Sequence, residues 1–575
     1  MNLKVILFYN CYGKFMEDII MEKVRLMALG GLDEDGKNMY CVEIGDDIFV
    51  VDAGLKYPDN QQLGVEYIIP DYSYLIENKE RVKGIFITHG HDDVMKALGH
   101  ILKEADFEVY ATPLTAKIIE DELPKNSKKR INIIRRDGKI EIAGHVIHTF
   151  PVMMSIADGI GLIFETSQGS IVYTSEFIVD YDLTNEAFSM NMHILSKIGN
   201  HDVLCLMSES VGAKKDGYTA PRHRITELIE TYIENLDDRV IITLYKQNLY
   251  RIIEILELAK KYKRQVFFCD DEHLKLLKNV EDLGYYRIPS NVIVSKRDFN
   301  NDLKNIICIV SGSGKQVFKK LNNVAIGEDK ILELKKNDLV IIASPVVPGT
   351  EKEAANMEDD LYRADVKIVK LNKKDLLSMH ASKEDLKMML YLVKPKYYLP
   401  VKGQYYDLIN NADVALEMGY TADKIVILDN GQYATFENQK LVSTRDHIEL
   451  NEILIDGSDK ADVSGMVLKD RETLSTDGAI VCGIVLDFKT KELIGGPDVQ
   501  SRGVIYLKDA ENLLNEIGNI LCETVAQAVK ENRYDNMKVR MEAKERISSY
   551  VAKNTGKRPM ILPAIIEVKT ENKDE

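Results

Sequence analysis

The segment with the clearest chemical content is Thr88-His89-Gly90-His91-Asp92-Asp93, in which two histidines and an aspartate stand at alternate positions. Imidazole nitrogens and carboxylate oxygens are ligands that zinc and manganese accept. Two histidines separated by one residue at the end of a strand can point at a single ion, and Asp93 can reach a neighbouring position. The spacing therefore favours a metal site, although an H-x-H tripeptide by itself is also common in solvated loops.

Other polar residues follow apolar runs in an order that supports the metal interpretation. Asp52 ends the run DDIFVVD, Glu176 follows the run SIVYTSE, and His380 lies much later in the chain. Polar residues at the carboxyl ends of strands are where sites are assembled in layered α/β folds. These three residues are therefore candidates to complete a site around the histidine-rich segment.

The pattern of strands and helices changes along the chain. Up to about residue 217, short strands are interspersed with helices, and residues 162–174 predict a hairpin. Between residues 218 and 368, short apolar strands alternate with helices, which predicts a parallel sheet with crossover helices. Short strands return after residue 369. The fold class is therefore α/β, and one domain inserted within another is the simplest account.

These changes predict six segments. They are an N-terminal extension (1–20), disordered or mis-started, the two parts of an interrupted domain (21–217 and 369–462), the inserted domain (218–368), a linker (463–478) and a small α+β C-terminal domain (479–575).

Composition excludes several classes of protein. The chain has 575 residues, enough for about four domains, and is 45% hydrophobic, which excludes wholesale disorder. The net charge of 75 − 91 = −16 argues against a non-specific polycation that coats nucleic acid. The sequence contains no run of about 18 apolar residues, so it predicts no membrane span. Seven scattered cysteines without a C-x-x-C pair indicate thiols in a reducing compartment, so we expect a cytoplasmic protein.

Longer stretches around these residues resemble a known family. IFITHGHDD and the upstream VVDAGLKYPDN resemble metallo-β-lactamase-fold nucleases, and GKNMYCVE, ASPVVPGTEK, PVKGQY, GGPDVQSRG and KRPMILP resemble the ribonuclease J family more narrowly. The resemblance covers nearly everything from Met21 onward. It implies a metallo-β-lactamase αββα sandwich interrupted by a β-CASP domain, and a C-terminal dimerisation module. It also implies metal-dependent hydrolysis of RNA, 5′-to-3′ exonucleolytic and in some members endonucleolytic.

The chain departs from the family at the metal centre. On the family pattern His89, His91, Asp93 and Glu176 are the remaining metal-ligand positions, Asp52 supports the site, and Asp93 and His380 would be catalytic. Glu176 stands where the family has an aspartate. Three positions where the family has a histidine carry other residues here: Val94, Met154 and Lys402.

Each departure has a physical consequence. Val94 has no donor atom, and the Met154 thioether is a poor ligand for hard or borderline divalent ions. Lys402 brings a positive charge to a place where a cation would sit, so we interpret it as an internal counter-ion that replaces the second metal. Because two-metal hydrolysis uses both ions, efficient catalysis should be lost. We expect at most one zinc or manganese ion per chain, or none.

The resemblance also implies residues that contact RNA. The stretch Leu376-Leu377-Ser378-Met379-His380-Ala381-Ser382 matches a phosphate-contacting loop, with His380 and Ser382 retained. Glu209 matches an acidic motif, and Asn248 and Tyr250 match a strand-to-helix turn that contacts substrate. The alternatives are a helix-start or buried histidine at His380, a strand-end cap at Glu209, and an ordinary helix N-terminus at Asn248.

The sequence thus resembles the degenerate paralogue type of the ribonuclease J family. That resemblance implies a structural or regulatory subunit in messenger-RNA decay and ribosomal-RNA maturation. Its partners would be RNA and either further copies of itself, as a dimer or tetramer, or an active paralogue. Two alternatives stay open, namely a working metal-dependent exo- or endoribonuclease and a non-catalytic RNA-binding scaffold.

Overall fold

The computed structural model describes residues 21–58, 64–123, 131–181, 185–234, 238–347, 349–372, 374, 376–456, 459–460, 465–504 and 510–569. The predicted N-terminal extension, residues 1–20, lies outside them. The chain divides into two compact units. The larger consists of the residues up to Tyr57 together with Tyr67–Ile453, and the smaller consists of Pro58–Glu66 together with the residues from Leu454 onward.

The larger unit contains two mixed sheets, of eight and six strands. The eight-stranded sheet has the order β20-β19-β1-β2-β3-β5-β6-β7. Its strands are β1 (Val24–Gly30), β2 (Met39–Ile44), β3 (Asp47–Val51), β5 (Val82–Ile87), β6 (Val109–Ala111), β7 (Ile131–Ile133), β19 (Tyr433–Glu437) and β20 (Lys440–Ser443). The six-stranded sheet has the order β18-β12-β11-β10-β9-β8. Its strands are β8 (Gly138–Ile142), β9 (His145–Pro151), β10 (Ile160–Phe164), β11 (Ser170–Tyr173), β12 (Val203–Glu209) and β18 (Tyr397–Val401).

The two sheets share one apolar core. Val42 and Phe49 from the first sheet and Phe164, Ile171 and Leu399 from the second belong to a single buried cluster. Strands whose two faces are both buried read as near-continuous apolar runs, as FVV and IVY do here. The predicted hairpin is present, with β10 and β11 paired antiparallel.

A five-stranded sheet forms the inserted part of the larger unit. All its neighbouring pairs are parallel, in the order β14-β15-β13-β16-β17. The strands are β13 (Val240–Tyr245), β14 (Gln265–Phe268), β15 (Ile306–Gly312), β16 (Leu339–Ile342) and β17 (Lys367–Lys370). Its helices are α6 (Thr226–Glu234), α7 (Leu249–Lys261), α8 (Asp271–Asp282), α9 (Lys315–Ala325) and α10 (Glu351–Arg363). The α/β fold class, with a parallel insertion, is therefore confirmed.

The remaining elements of the larger unit are short. They are β4 (Tyr67–Ile69), α1 (Ser73–Glu77), α2 (Asp92–Met95), α3 (Leu98–Glu104), α4 (Pro113–Glu122), α5 (Met192–Ile198), α11 (Lys383–Val393) and α12 (Tyr405–Glu417). Among the described residues no helix is both long and apolar enough to cross a membrane.

The smaller unit contains a three-stranded sheet with the order β24-β23-β25. Its elements are β21 (Ile453–Asp456), β22 (Asp459–Lys460), α13 (Gly465–Thr476), β23 (Ala479–Asp487), β24 (Leu493–Arg502), α14 (Ala510–Lys530), α15 (Asn536–Thr555) and β25 (Met560–Val568). Ile480, Cys482, Ile517, Val551 and Ile561 pack one face of this sheet against α14 and α15.

Three segments have a secondary structure that their sequence pattern does not indicate. The segment 463–478, predicted as a linker, contains helix α13. Strand β24 was not anticipated, because Gly495, Gly496 and Pro497 interrupt its apolar pattern. Residues 424–430 resemble a strand in sequence but make only an isolated bridge between Ile425 and Tyr398.

Candidate metal centre

Parallel pairing of β3 with β5 creates the site, because the carboxyl ends of both strands meet at one edge. Asp52 follows β3 with a φ of 65°, and Thr88 follows β5. The Asp52 carboxylate accepts hydrogen bonds of 2.9 Å from the Thr88 backbone N–H, the Thr88 hydroxyl and the Tyr173 hydroxyl. Burial raises the pKa of Asp52 to about 7. Asp52 therefore fixes the start of the histidine loop.

Four ligand-type side chains converge beyond that edge. His89, His91, Asp93 and Glu176 each offer a ligand atom, and these atoms all lie within 4.8 Å of one another. His89 Nε2 lies 3.0 Å from His91 Nδ1 and 3.6 Å from Glu176 Oε1. His91 Nδ1 lies 3.5 Å from Glu176 Oε2. The spacing of the motif thus predicted a real convergence of side chains.

Neighbouring hydroxyls hold the outer nitrogens of both histidines. His89 Nδ1 lies 3.0 Å from the Thr88 hydroxyl, and His91 Nε2 lies 3.1 Å from the Ser155 hydroxyl. Outer partners of this kind orient histidines that bind metals. Burial lowers the pKa of His89 to about 4, so its imidazole is neutral at physiological pH, as a ligand must be.

Lys402 lies among the carboxylates of the cluster. Its ammonium group donates to Asp93 Oδ2 at 2.8 Å and also donates to Glu176 Oε1. Burial disfavours the charged ammonium, but Asp93 and Glu176 outweigh burial and hold the pKa of Lys402 well above its usual value. Burial disfavours both carboxylates in turn, yet Lys402 holds the pKa values of Glu176 and Asp93 below their usual values. All three groups are therefore charged at neutral pH.

The two other altered positions are filled by apolar packing. Val94 and Met154 are fully buried, and Met154 belongs to the largest core cluster. The Met154 side chain lies directly against Gly159, where an added Cβ would be 2.8 Å from the sulfur. Neither side chain contributes a nitrogen or oxygen donor to the site.

Three side chains of the cluster are spaced like the ligands of a single ion. Tetrahedral ligands about 2.1 Å from zinc are about 3.4 Å apart, close to the spacing of His89, His91 and Glu176. A second ion would need Asp93 and a shared oxygen of Glu176. Asp93 Oδ2 already accepts from Lys402 and, at 3.0 Å, from the Asn38 amide. Both carboxylates are thus in contact with a protein cation.

A partly exposed His380 pairs with the buried Glu209 beside this cluster. His380 Nδ1 lies 2.7 Å from Glu209 Oε2, while Glu209 Oε1 accepts from the backbone N–H groups of Phe177 and Ala381. Burial lowers the pKa of His380, but the carboxylates of Glu209 and Glu176 outweigh it and the net pKa is raised. Glu209 therefore orients His380 and favours its protonated form.

The predicted RNA-contacting residues divide into buried and polar groups. Leu376, Leu377 and Met379 are buried, so their side chains face the protein interior. The Ser378 hydroxyl accepts from the Lys215 ammonium at 2.8 Å. Ser382 lies at the N-terminus of α11, with its hydroxyl 2.7 Å from that of Thr219.

The strand-to-helix turn is a capped helix start. The Asn248 side chain accepts from the Arg251 N–H at 3.1 Å, as an N-cap does. Tyr250 packs against Phe188 and His223, and its backbone N–H donates to the Ser155 carbonyl at 2.9 Å. Through Ser155 this turn is two contacts away from His91.

Two residues near the centre were missed by sequence reasoning. Asn38 holds both the carboxylate and the backbone carbonyl of Asp93, at 3.0 and 2.9 Å. Asp35 is exposed and interacts electrostatically with Asp93, Lys402, His380 and Glu176. The only sequence signal was a polar stretch before β2, which by itself is typical of a turn.

Comparisons with known proteins agree with this geometry. Family models match residues 32–164 (metallo-beta-lactamase superfamily), 237–361 (ribonuclease J, beta-CASP domain) and 466–568 (ribonuclease J C-terminal domain). The chain is 33% identical over 549 residues to "Ribonuclease J 2" of Staphylococcus aureus (strain MRSA252), covering 95% of this chain and 98% of that protein. It is 32% identical over 549 residues, with the same coverage, to "Ribonuclease J 2" of Staphylococcus epidermidis (strain ATCC 12228 / FDA PCI 1200).

A solved structure shares the fold at low identity. A protein of unknown function from Enterococcus faecalis V583 superposes with a TM-score of 0.51 and 15% identity, over 72% of this chain and 100% of that one. That likeness concerns the fold alone.

Proposed function

The chain belongs to the ribonuclease J family, and we propose that it is an RNA-binding structural or regulatory subunit with weak or no nuclease activity of its own. It would act in messenger-RNA turnover and ribosomal-RNA maturation in the cytoplasm. The relatives named Ribonuclease J 2, which match over 95% of the chain, support RNA as its ligand.

One observation carries the proposal, namely the contact of the Lys402 ammonium with both Asp93 and Glu176. A two-metal mechanism clamps the attacking and leaving oxygens between two ions. The two carboxylates that would hold the second ion are partly neutralised here by a side chain that cannot dissociate. The cluster thus offsets part of its negative charge without that ion.

The remaining residues support at most a one-metal site. His89, His91 and Glu176 would hold the ion, which when bound supplies a Lewis acid beside the phosphodiester. Asp93 stays in its bonds to Asn38 and Lys402. His380 would hold a proton at Nδ1 against Glu209 and present its other nitrogen to substrate. The predicted RNA contacts remain those of Ser378, Ser382, Asn248 and Tyr250. Contacts by Leu376, Leu377 and Met379 would be limited to their backbone atoms.

We also propose the wider organisation implied by the family. The segments would be 21–217 and 369–462 for the interrupted domain, 218–368 for the insertion, and 479–575 for an oligomerisation domain. The partner would be a second copy of this chain or an active paralogue. Mixing the purified proteins and measuring mass by size-exclusion chromatography with light scattering tests the heteromer, and only homo-oligomers would contradict it.

Restoring the family's ligands tests the metal-site interpretation. The quadruple variant Val94→His, Met154→His, Glu176→Asp, Lys402→His should bind additional metal and digest 5′-monophosphorylated RNA at least about 10-fold faster, the order of effect seen when metal-site residues change. The matched control carries only Val94→His and Met154→His. It should stay inactive because Lys402 still occupies the second position.

Failure of the folded quadruple variant to gain metal would contradict our assignment of these positions. Equal activity of the quadruple variant and the control would show that Lys402 is not the obstacle. Folding of each variant is checked by its thermal unfolding curve.

A second candidate function is a slow one-metal ribonuclease. The near-tetrahedral spacing of His89, His91 and Glu176 favours it. Digestion by the unaltered protein with one bound ion, abolished by His89→Ala, would support this candidate over a non-catalytic subunit.

A further inference from the structure

Two exposed tyrosines begin helix α12, only a few residues beyond Lys402. Tyr405 is 50% exposed and Tyr406 is 55% exposed. Burial of an aromatic ring is favourable, so a ring that is open to solvent can gain free energy by packing against a ligand. Two adjacent rings that stay open to solvent therefore constitute an unused aromatic surface.

The backbone beneath these rings is firmly held. The Tyr405 N–H donates to Asp33 Oδ1 at 3.0 Å, and the side chains of Gln404 and Asp407 form a capping box at the same helix start. Two residues earlier, the Glu34 N–H donates to the Gly403 carbonyl at 3.1 Å. A ligand that stacks on these rings would lose little affinity to ordering of the main chain.

Tyr406 is four residues beyond Lys402 in the chain, in the first turn of α12. Tyr406 interacts electrostatically with Asp35 and Asp407. Asp35 in turn interacts with Lys402, Asp93 and His380 in the centre. The ring therefore lies near the exposed carboxylate of Asp35 and the buried carboxylate of Asp407.

A cation accompanies the ring. The Lys214 ammonium lies 5.8 Å from the centroid of the Tyr406 ring, within the range of a cation–π contact. An aromatic face with a lysine next to it is the combination by which proteins bind single-stranded nucleic acids: the base stacks on the ring and the cation meets the backbone. The exposed carboxylate of Asp35 repels phosphate, so at this place the uncharged base is the favoured group.

We propose that Tyr406, assisted by Lys214, is a stacking subsite for one nucleobase of a single-stranded RNA. This inference rests on the proposed RNA-binding function. Stacking uses a π face that every base has, so the subsite should accept purines and pyrimidines alike. It would let the chain hold an RNA end without any metal ion.

The test is the affinity of the full-length chain for a fluorescein-labelled oligoadenylate of about 10 nucleotides, a length typical of single-strand sites, measured by fluorescence anisotropy without added metal. Tyr406→Ala should raise the Kd about 10-fold, the loss expected for one stacked base. Tyr406→Phe, which keeps the ring, should bind as the unaltered chain does. Tyr391→Ala removes a tyrosine that is 65% exposed on α11 and should also leave the Kd unchanged.

The salt dependence of the Kd distinguishes a stacking contribution from an electrostatic one. The effect of Tyr406→Ala should be the same at about 50 mM and about 200 mM salt, whereas Lys214→Gln should weaken binding mainly at the lower concentration. A Tyr406→Phe variant as weak as Tyr406→Ala would overturn the stacking role. So would a Tyr406→Ala variant that binds as tightly as Tyr391→Ala. If the unaltered chain does not bind the oligonucleotide at all, the proposed function fails together with this inference.

Discussion

At the scale of single residues, Lys402 determines the chemistry of the centre. A lysine among carboxylates in a buried site would be expelled unless each charge had a partner, since burial of an isolated ion is costly. Here Lys402, Asp93 and Glu176 satisfy one another. Removal of one member of a buried ion pair costs more than the pair itself contributes, because it leaves an uncompensated charge.

Lys402→Met should therefore destabilise the chain by about 3–5 kcal/mol near pH 7 to 8. The lowered pKa values of Glu176 and Asp93 stabilise the folded chain. This stabilisation is present above the pKa of these groups in the unfolded chain, about 4, and is lost as the pH falls below it. The raised pKa of Lys402 adds stability that persists until the pH exceeds about 10. In Lys402→Met the carboxylates can instead take up a proton, so the difference from the unaltered chain should shrink towards about pH 5.

Urea unfolding of both proteins across this pH range measures the difference. Lys424→Met, which breaks an exposed ion pair with Asp423, is the matched control and should change little. A constant difference between Lys402→Met and the unaltered chain at all pH values would contradict the charge argument.

The sequence predicted the donor residues of the site better than their surroundings. The alternate spacing of His89, His91 and Asp93 predicted convergence because a strand end fixes where neighbouring side chains point. Asn38 and Asp35 were missed because their place depends on how β2 and its preceding turn pack against the histidine loop. Local spacing carries no information about such a tertiary contact.

At the scale of elements, apolar runs predicted the strands wherever both faces are buried. The runs VIITL, IICIV and LVII became the parallel strands β13, β15 and β16. Strand β24 was missed because its exposed face and its Gly-Gly-Pro interruption erase the alternation. The prediction of a linker over residues 463–478 did not include helix α13, because the apolar residues of this segment have no helical periodicity.

A glycine sets how closely the strand edge approaches the histidine loop. A Cβ at Gly54 would lie 1.6 Å from the Asp93 carbonyl oxygen, a clash that only a backbone shift can relieve. Gly54→Ala should therefore destabilise the chain by about 3 kcal/mol, the upper end of overpacking costs, and displace Asp93 from Lys402. Chemical denaturation measures the cost.

Gly144→Ala is a control for the loss of a glycine, since an added Cβ there meets nothing within 4 Å. Its φ of 85° carries its own backbone strain, so a modest loss of stability is expected. If Gly54→Ala cost no more than Gly144→Ala, the close approach would not be a constraint.

At the scale of the whole molecule, the chain combines a net charge of −16 with a proposed RNA ligand. Overall charge repels a polyanion, so binding must depend on local features such as cations and aromatic rings rather than on the average field. A metal pair would supply four positive charges at the centre, and here one lysine supplies a single charge. We therefore expect an RNA-holding chain whose centre is stable without two ions.

The most direct test is the metal content of the purified full-length chain after dialysis against zinc or manganese, measured by elemental mass spectrometry together with digestion of 5′-monophosphorylated RNA. Our account predicts no more than one ion per chain and negligible digestion, because Lys402 holds the second position. Two ions per chain with robust digestion would contradict it, and the chain would then be an ordinary two-metal ribonuclease.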